Sequence, residues 1–488
     1  MTSATDGVVL AQGETGSAFF HRVLSEGISR DPAAFTGAHF PTSGKAFKHH
    51  YGDTLARYEA ARVASSKRID LAWALHDATL GSLRFSKGGQ EVPLLQSLSE
   101  VKGEPRKTQA LDGTWSGGLV PELPLDGTVH RGVEPVRAAV AKLLAAHHLT
   151  HAAARALNWL LDHVASQGGA LDLRAQRFVL FGASAELSPV SLLLGAGATV
   201  RWIDVKPPAR DAAQGKIVSS EGGDDLLVHP HAAMAAVREF ASDGPVHLGL
   251  FAYAPGASRE LRLAGVMDAI AHTLGHDVVK SVSFYISPTS PGAVQPEDLE
   301  VMNARGKAPK LWQRGFAATR MLRGPGHEGE GENAVARGVI SLQGAAYQAA
   351  QYLMKIISGE VLATRGLSGQ PITLSANVAG ITNTRSLSHP LFQIAFQGAP
   401  QFGVRIFEPP TTRAISGLLM LADLLNPAAP GSATKKYESP LDRVRATRSE
   451  QIHGGTYDLP WQFESAVKTA AVLGLGKRPD LLVRRKKH

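Results

Sequence analysis

The chain has 488 residues, 44% hydrophobic and 19% charged, with a formal net charge of +8 and no cysteine. That length predicts two or three domains, and the missing cysteines exclude disulfides, thiolate metal sites and cysteine nucleophiles together. No apolar run reaches the ~18 residues that suggest a bilayer span, and the opening residues lack a basic segment followed by an apolar one, so a cytoplasmic protein without a cleaved signal peptide is expected.

In residues 1–170 a poorly patterned Gly/Ser/Thr-rich stretch leads into helical patterns at Asp53–Ser65 and Ile69–Leu80. Strand-like or loop segments follow around Leu83–Leu125, where Gly and Pro are frequent. A long helical region then covers Val133–Ala165, with a break near Leu149–Thr150. The zone reads as an α-rich cap or substrate domain. PTSGKAF (41–47) is not a phosphate loop, because the first glycine is misplaced and Ala46 stands where a magnesium-binding hydroxyl belongs. His147 and His151 share a face of a continuous helix, but no third ligand accompanies them, so surface or interdomain histidines are the simpler reading.

From Arg177 onward short apolar strands alternate with amphipathic helices. The strands are Phe178–Phe181, Val200–Val205, Val246–Phe251, Val279–Ile286 and Ile372–Val378. This alternation predicts an α/β domain over 171–427, a doubly wound parallel sheet. A Gly-, Pro- and charge-rich insertion interrupts it at 291–334, and 428–488 reads as a basic C-terminal extension. Lys477, Arg478, Arg484, Arg485, Lys486 and Lys487 against Asp480 carry +5 of the net charge, leaving +3 for the remainder. No aromatic residue interleaves with them, so nucleic acid is not an expected partner.

The densest signal is RFVLFGASAELSPVSLLLGAGATVRWIDV, residues 177–205. A buried strand runs into Gly182, then a turn of Ala183, Ser184, Glu186 and Leu187, then a helix, then a second strand ending at Asp204. Such a turn presents backbone amides to a pyrophosphate. Asp204, 22 residues after Gly182, stands where an acid accepts hydrogen bonds from a ribose. An acid there repels a 2′-phosphate, which favours NAD over NADP; Arg201 or Arg210 would act the other way.

The order of the segments resembles the short-chain dehydrogenase/reductase family over about half the chain. GASAELSP (182–189) resembles its glycine turn, with Glu186 and Ser188 where further glycines are usual. LFAYAPG (250–256) resembles the strand end after which Gly256 matches, whereas Tyr253 and Ala254, following Ala252, replace asparagines. SVSFYISPTSPGA (281–293) resembles the strand ending in the catalytic serine, with Ser287 or Ser290 as candidates. GAAYQAAQYLMK (344–355) resembles the catalytic helix, with Tyr347 on the family's tyrosine and Gln351 where its lysine belongs. ITLSANVAGITNT (372–384) and the segment 402–425 resemble the last strand and helix. The resemblance implies a Rossmann fold, NAD or NADP as cofactor, and an oxidoreductase acting on a carbonyl or activated double bond of a small-molecule substrate. It also implies a homo-oligomer, since the helix around Tyr347 often meets a partner in that family.

A reductase of this kind needs a proton donor, and in the family the lysine lowers the tyrosine pKa. Here the i+4 side chain is the uncharged Gln351. On a straight α-helix Lys355 lies about 80° around from Tyr347 and ~12 Å along. Three readings follow: Tyr347 with another activator such as Lys355, a dinucleotide-binding module without catalysis, or a redox-neutral lyase or isomerase on the same scaffold. Residues 305–323, with Arg305, Lys307, Lys310, Arg314, Arg320 and Arg323 around Trp312 and Phe316, read either as a lid over an anionic substrate or as an amphipathic surface helix.

Overall fold

The computed structural model describes residues 6–11, 14–208, 212–256 and 258–477. Arg210 and the basic tail from Arg478 onward lie outside them. Among the described residues no helix is long and apolar enough to cross a membrane.

A seven-stranded sheet organises the chain: β1 (Thr108–Asp112), β2 (Arg177–Phe181), β3 (Thr199–Ile203), β4 (Lys216–Ser220), β5 (Val246–Leu250), β6 (Val279–Ile286) and β7 (Thr373–Val378). Their spatial order is β7-β6-β5-β2-β3-β4-β1. Strands β2 to β7 run parallel, and β1 alone is antiparallel, against β4. Counted along the chain, the parallel strands take the order 3-2-1-4-5-6 of the doubly wound, Rossmann-like α/β sheet. Its switch point, where successive connections leave in opposite directions, lies between β2 and β5.

Strand alternation divides the core. On β2, Val179 and Phe181 face one hydrophobic cluster, and Phe178 and Leu180 face the other. The first face is covered by α4 (Arg259–Leu274) and by a helix that begins as α5 (Ala345–Gln351), passes through one π-helical turn at Tyr352–Ile357 and continues to Thr364. On the second face the connection after β2 supplies only the six-residue helix Val190–Gly195 beside α7 (Pro409–Leu425). A parallel sheet needs both faces buried. The helices Val133–Ala145 and His151–Ser166 complete that layer, with Val140, Leu157 and Leu161 in the same cluster.

The N-terminal region therefore does not stand apart as a cap. It contributes the edge strand β1, part of the second face, and α1 (Gly16–Arg30), α2 (Gly44–Ala64) and α3 (Arg68–Ser82), which cover the helix after α5. Tyr58 and Phe20 meet the Tyr352 ring at 6.3 and 6.1 Å. The helix the family resemblance offers to a dimer partner is thus covered by this chain itself. A buried charge network fixes the contact: Arg62 bonds Glu59 at 2.7 Å and Glu360 at 2.8 Å, Arg68 and Arg448 each reach Glu360 at 2.7 Å, and Tyr352 donates to Glu59 at 2.6 Å.

Residues 428–477 also fold back instead of extending. Ile452 N–H donates to Val378 O at 2.9 Å, continuing the pairing beyond β7, and His453, Tyr457 and Asp458 have no exposed surface. Glu450 is buried against Asp423, whose carboxylate accepts Ser375 Oγ at 2.7 Å and Asn377 Nδ2 at 2.8 Å. Burial, then the Asp423 charge and hydrogen bond, push the Glu450 carboxyl well above its usual range, so the proton of the pair sits on Glu450. A raised folded-state pKa gives stability that is full below the unfolded glutamate value and lost as pH rises through the folded value. Glu450→Gln should flatten that alkaline decline in urea midpoints measured across pH; an unchanged slope would place the titration elsewhere.

Candidate functional site

β2 ends in Gly182, at φ +80°. A Cβ there would lie 2.2 Å from Ala252 Cα, so the strand can turn beside β5 only without a side chain. Gly182→Ala should cost roughly 2–4 kcal/mol of stability, combining left-handed strain with overpacking; a denaturation midpoint equal to wild type would contradict this close approach.

Beyond Gly182 the chain makes two tight turns, Ala185 N–H to Gly182 O and Ser188 N–H to Ala185 O, both 2.9 Å. Ala183 is buried, Ser184 exposed and Leu187 half-buried. Asp204 closes the turn: its Oδ2 accepts Ser184 N–H at 2.8 Å and its Oδ1 accepts Lys206 N–H at 2.9 Å. Ser184's amide is therefore spent, whereas among the described residues those of Ala183, Glu186 and Leu187 donate to no protein acceptor. Each Asp204 oxygen keeps acceptor capacity. Arg201 does not compete for a ligand: it is buried on β3, donating to Ser220 Oγ at 2.7 Å.

Glu186 departs from a plain glycine turn in a specific way. Its Oε2 accepts the backbone N–H of Arg385 at 3.1 Å, tying the turn after β2 to the loop after β7. Tyr253, half-exposed after β5, lies near Ser386 of the same loop. Gly256 is exposed at φ +102° and lines nothing.

The ends of β5 and β6 and the start of α5 bring the second group together. Tyr347 is half-buried, and its phenol lies close enough to the Ser287 and Thr289 hydroxyls for them to counter its pKa rise. Ser287 Oγ meets Thr289 Oγ1 at 2.7 Å, and Ser287 N–H donates to Gln351 Oε1 at 3.2 Å. Ser290 is fully buried on Gln348 at 3.3 Å and faces away from this group. Of the two candidate serines, Ser287 is the one beside the tyrosine. Burial pushes the Tyr347 phenol up to about 12, against the Ser287 hydrogen bond, with the Glu260 charge adding to the rise.

Glu260, in the first turn of α4, gave no sign in the sequence because an acid there is an ordinary helix-dipole residue. Its Oε2 accepts Ala254 N–H at 2.9 Å. Burial raises its carboxyl to about 7, against the nearby Lys355 ammonium. Burial in turn lowers Lys355, against the Glu260 charge. Lys355 lies inside the π-helical turn, where i→i+5 bonding rotates each residue through less than the α-helical 100°. Lys355 is thereby drawn back toward the face of Tyr347, and both side chains feel Glu260.

No family model matches this chain, and no curated protein does. The functional reading therefore rests on the site itself.

Other sequence candidates separate in space. The chain turns between Ala145 and His151, with His147 at φ +53°, so His147 and His151 share no face. The helix Leu311–Ala318 is not placed as a lid: Trp312 stands edge-on to Phe402 at 5.1 Å, and Arg314 and Arg320 are exposed. Among the described residues two His/Asp clusters lie elsewhere. His76 pairs with Asp268 at 2.6 Å. In the other, His453 Nδ1 accepts Gly455 N–H at 3.1 Å, which leaves the proton on Nε2 facing Asp298, the opposite of a ligating tautomer.

Proposed function

We propose that the protein is an NAD(P)H-dependent reductase of a carbonyl compound. The observation carrying this reading is the convergence of Tyr347, Ser287, Glu260 and Lys355 at the strand ends beside a 3-2-1-4-5-6 switch point. The fit at the diphosphate end rests on the partnerless amides of Glu186 and Leu187, with Asp204 for the ribose. When bound, the reduced nicotinamide supplies a hydride. Ser287 and Thr289 orient the substrate oxygen and hold the phenol. Tyr347, neutral at pH 7, gives its proton to the alkoxide as it forms. A phenol near 12 suits that direction; oxidation would need tyrosinate, which burial disfavours. Glu260, its carboxyl raised to about 7 by burial, takes up and gives back a proton near neutrality beside Lys355 and Tyr347.

A second reading, nucleotide binding without turnover, is favoured by Glu186, whose carboxylate stands where a diphosphate's charge would collect. Glu186→Gln should tighten NADH binding by about tenfold, the order expected for removing one partly screened charge. Titration by nicotinamide fluorescence checks it; equal or weaker binding would show that Glu186 leaves the diphosphate alone. For the reductase itself, NADH and NADPH titrations followed by ketone-dependent oxidation of the bound form provide the test. Binding with turnover supports it, binding without turnover leaves the second reading, and no binding defeats both.

A further inference from the structure

Thr289, beside Tyr347, also lines an apolar cleft. Its walls come from α6 (Pro390–Gly398), α8 (Phe463–Lys477) and the segments between β7 and α7. Phe392, Phe396, Phe402, Phe463, Ile381 and Val467 are among the carbon side chains that line it. Among the described residues the only polar side chains lining it are Thr289 and Gln343, both bonded by Gln348 next to Tyr347 on α5, and no charged side chain lines it. No described residue of the N-terminal region or of the helix 311–318 lines it, and the cations expected over the substrate face solvent or pair elsewhere, as Arg305 does with Asp458 at 3.4 Å.

We propose that this cleft holds the body of the substrate, and that the substrate is an uncharged ketone carried on an apolar chain or ring system. The assignment rests on the reductase reading for the position of the carbonyl at Tyr347. The cleft itself sets the rest. A wall of aromatic and aliphatic carbon binds in proportion to the apolar area removed from water. A carboxylate or phosphate on the substrate body would be desolvated there with no cation to meet it. The polarity gradient, hydroxyls at one end and carbon beyond, also fixes orientation: the carbonyl at Thr289 and Ser287, the apolar part between α6 and α8.

The test uses the full chain and keeps ligand and cofactor binding separate. The uncharged aromatic ketone 6-propionyl-2-(dimethylamino)naphthalene, whose emission shifts to the blue in apolar surroundings, serves as the probe, displaced by 2-alkanones from butanone to 2-dodecanone. Their affinity should rise about fourfold per added methylene and level off when the cleft is full. Val467→Trp should weaken probe and alkanone binding at least tenfold while NADH binding stays unchanged. Phe396→Ala, which widens the cleft, should move the plateau to longer chains and keeps the test open if the tryptophan variant misfolds. Affinities independent of chain length, or displacement indifferent to both substitutions, would overturn the proposal while leaving NADH binding intact. Chain-length-dependent ketone binding without any NADH binding would keep the cleft assignment and defeat the reductase.

Discussion

Tyr347→Phe should lower kcat for carbonyl reduction by about 10²–10⁴-fold, the range for losing a positioned general acid, and leave NADH binding unaltered. The ring is partly buried on α5, and phenylalanine has the same ring, so the side chain keeps its place without its oxygen. Because the proton moves only as the alkoxide forms, the loss belongs in kcat, with KM changing little. Steady-state kinetics with an alkanone and NADH measure it. Full activity in the variant would remove Tyr347 from the chemistry, and parallel loss of NADH binding would make its role structural.

The second large effect is on stability. Glu360→Ala should destabilise the protein by about 3–5 kcal/mol, the cost of stranding buried charge. Burial works to raise the Glu360 carboxyl, but the guanidiniums of Arg62, Arg68 and Arg448 prevail and hold it well below its usual range. Removing it leaves Arg62, with no exposed surface, facing Arg68 and Arg448 across a site of like charge. The folded carboxyl lies below its unfolded value, so this stability is present above the unfolded pKa and lost on acidification. Urea unfolding at pH 7 checks the magnitude, and a change below 1 kcal/mol would mean that the arginines find other partners.

The sheet was legible where strands are apolar and internal. Val279–Ile286 has the limits its sequence suggests, and Phe178–Phe181 extends by one residue to Arg177. The edges were not: Thr108–Asp112 and Lys216–Ser220 are short and polar, and only their pairing with each other and with β3 makes them strands. The break near Leu149–Thr150 was visible because Thr150 caps the next helix, accepting Ala153 N–H at 3.2 Å. Residues 428–477 read as an extension because hydropathy cannot see a polar side chain that is buried with partners: Gln451 Nε2 donates to Ala293 O at 2.9 Å and is nonetheless 1% exposed.

In the site, residue types told which side chains carry chemistry but not how they meet. Tyr347 and Ser287 stood out from the strand-and-helix series, while Ser290 was indistinguishable from Ser287 until the turn after β6 pointed them apart. Straight-helix geometry placed Lys355 off the tyrosine's face, and a single π-helical turn changes that. Glu186 was a visible departure, yet its bond to Arg385 links positions 199 residues apart, which no local pattern encodes.

The most direct measurement is a crystal structure of the protein grown with saturating NADH. The diphosphate should lie on the amides of Glu186 and Leu187, with Glu186 released from Arg385 and the nicotinamide ring beside the Tyr347 hydroxyl. Density for the dinucleotide at any other place, or none at all with Glu186 still bonded to Arg385, would contradict the account.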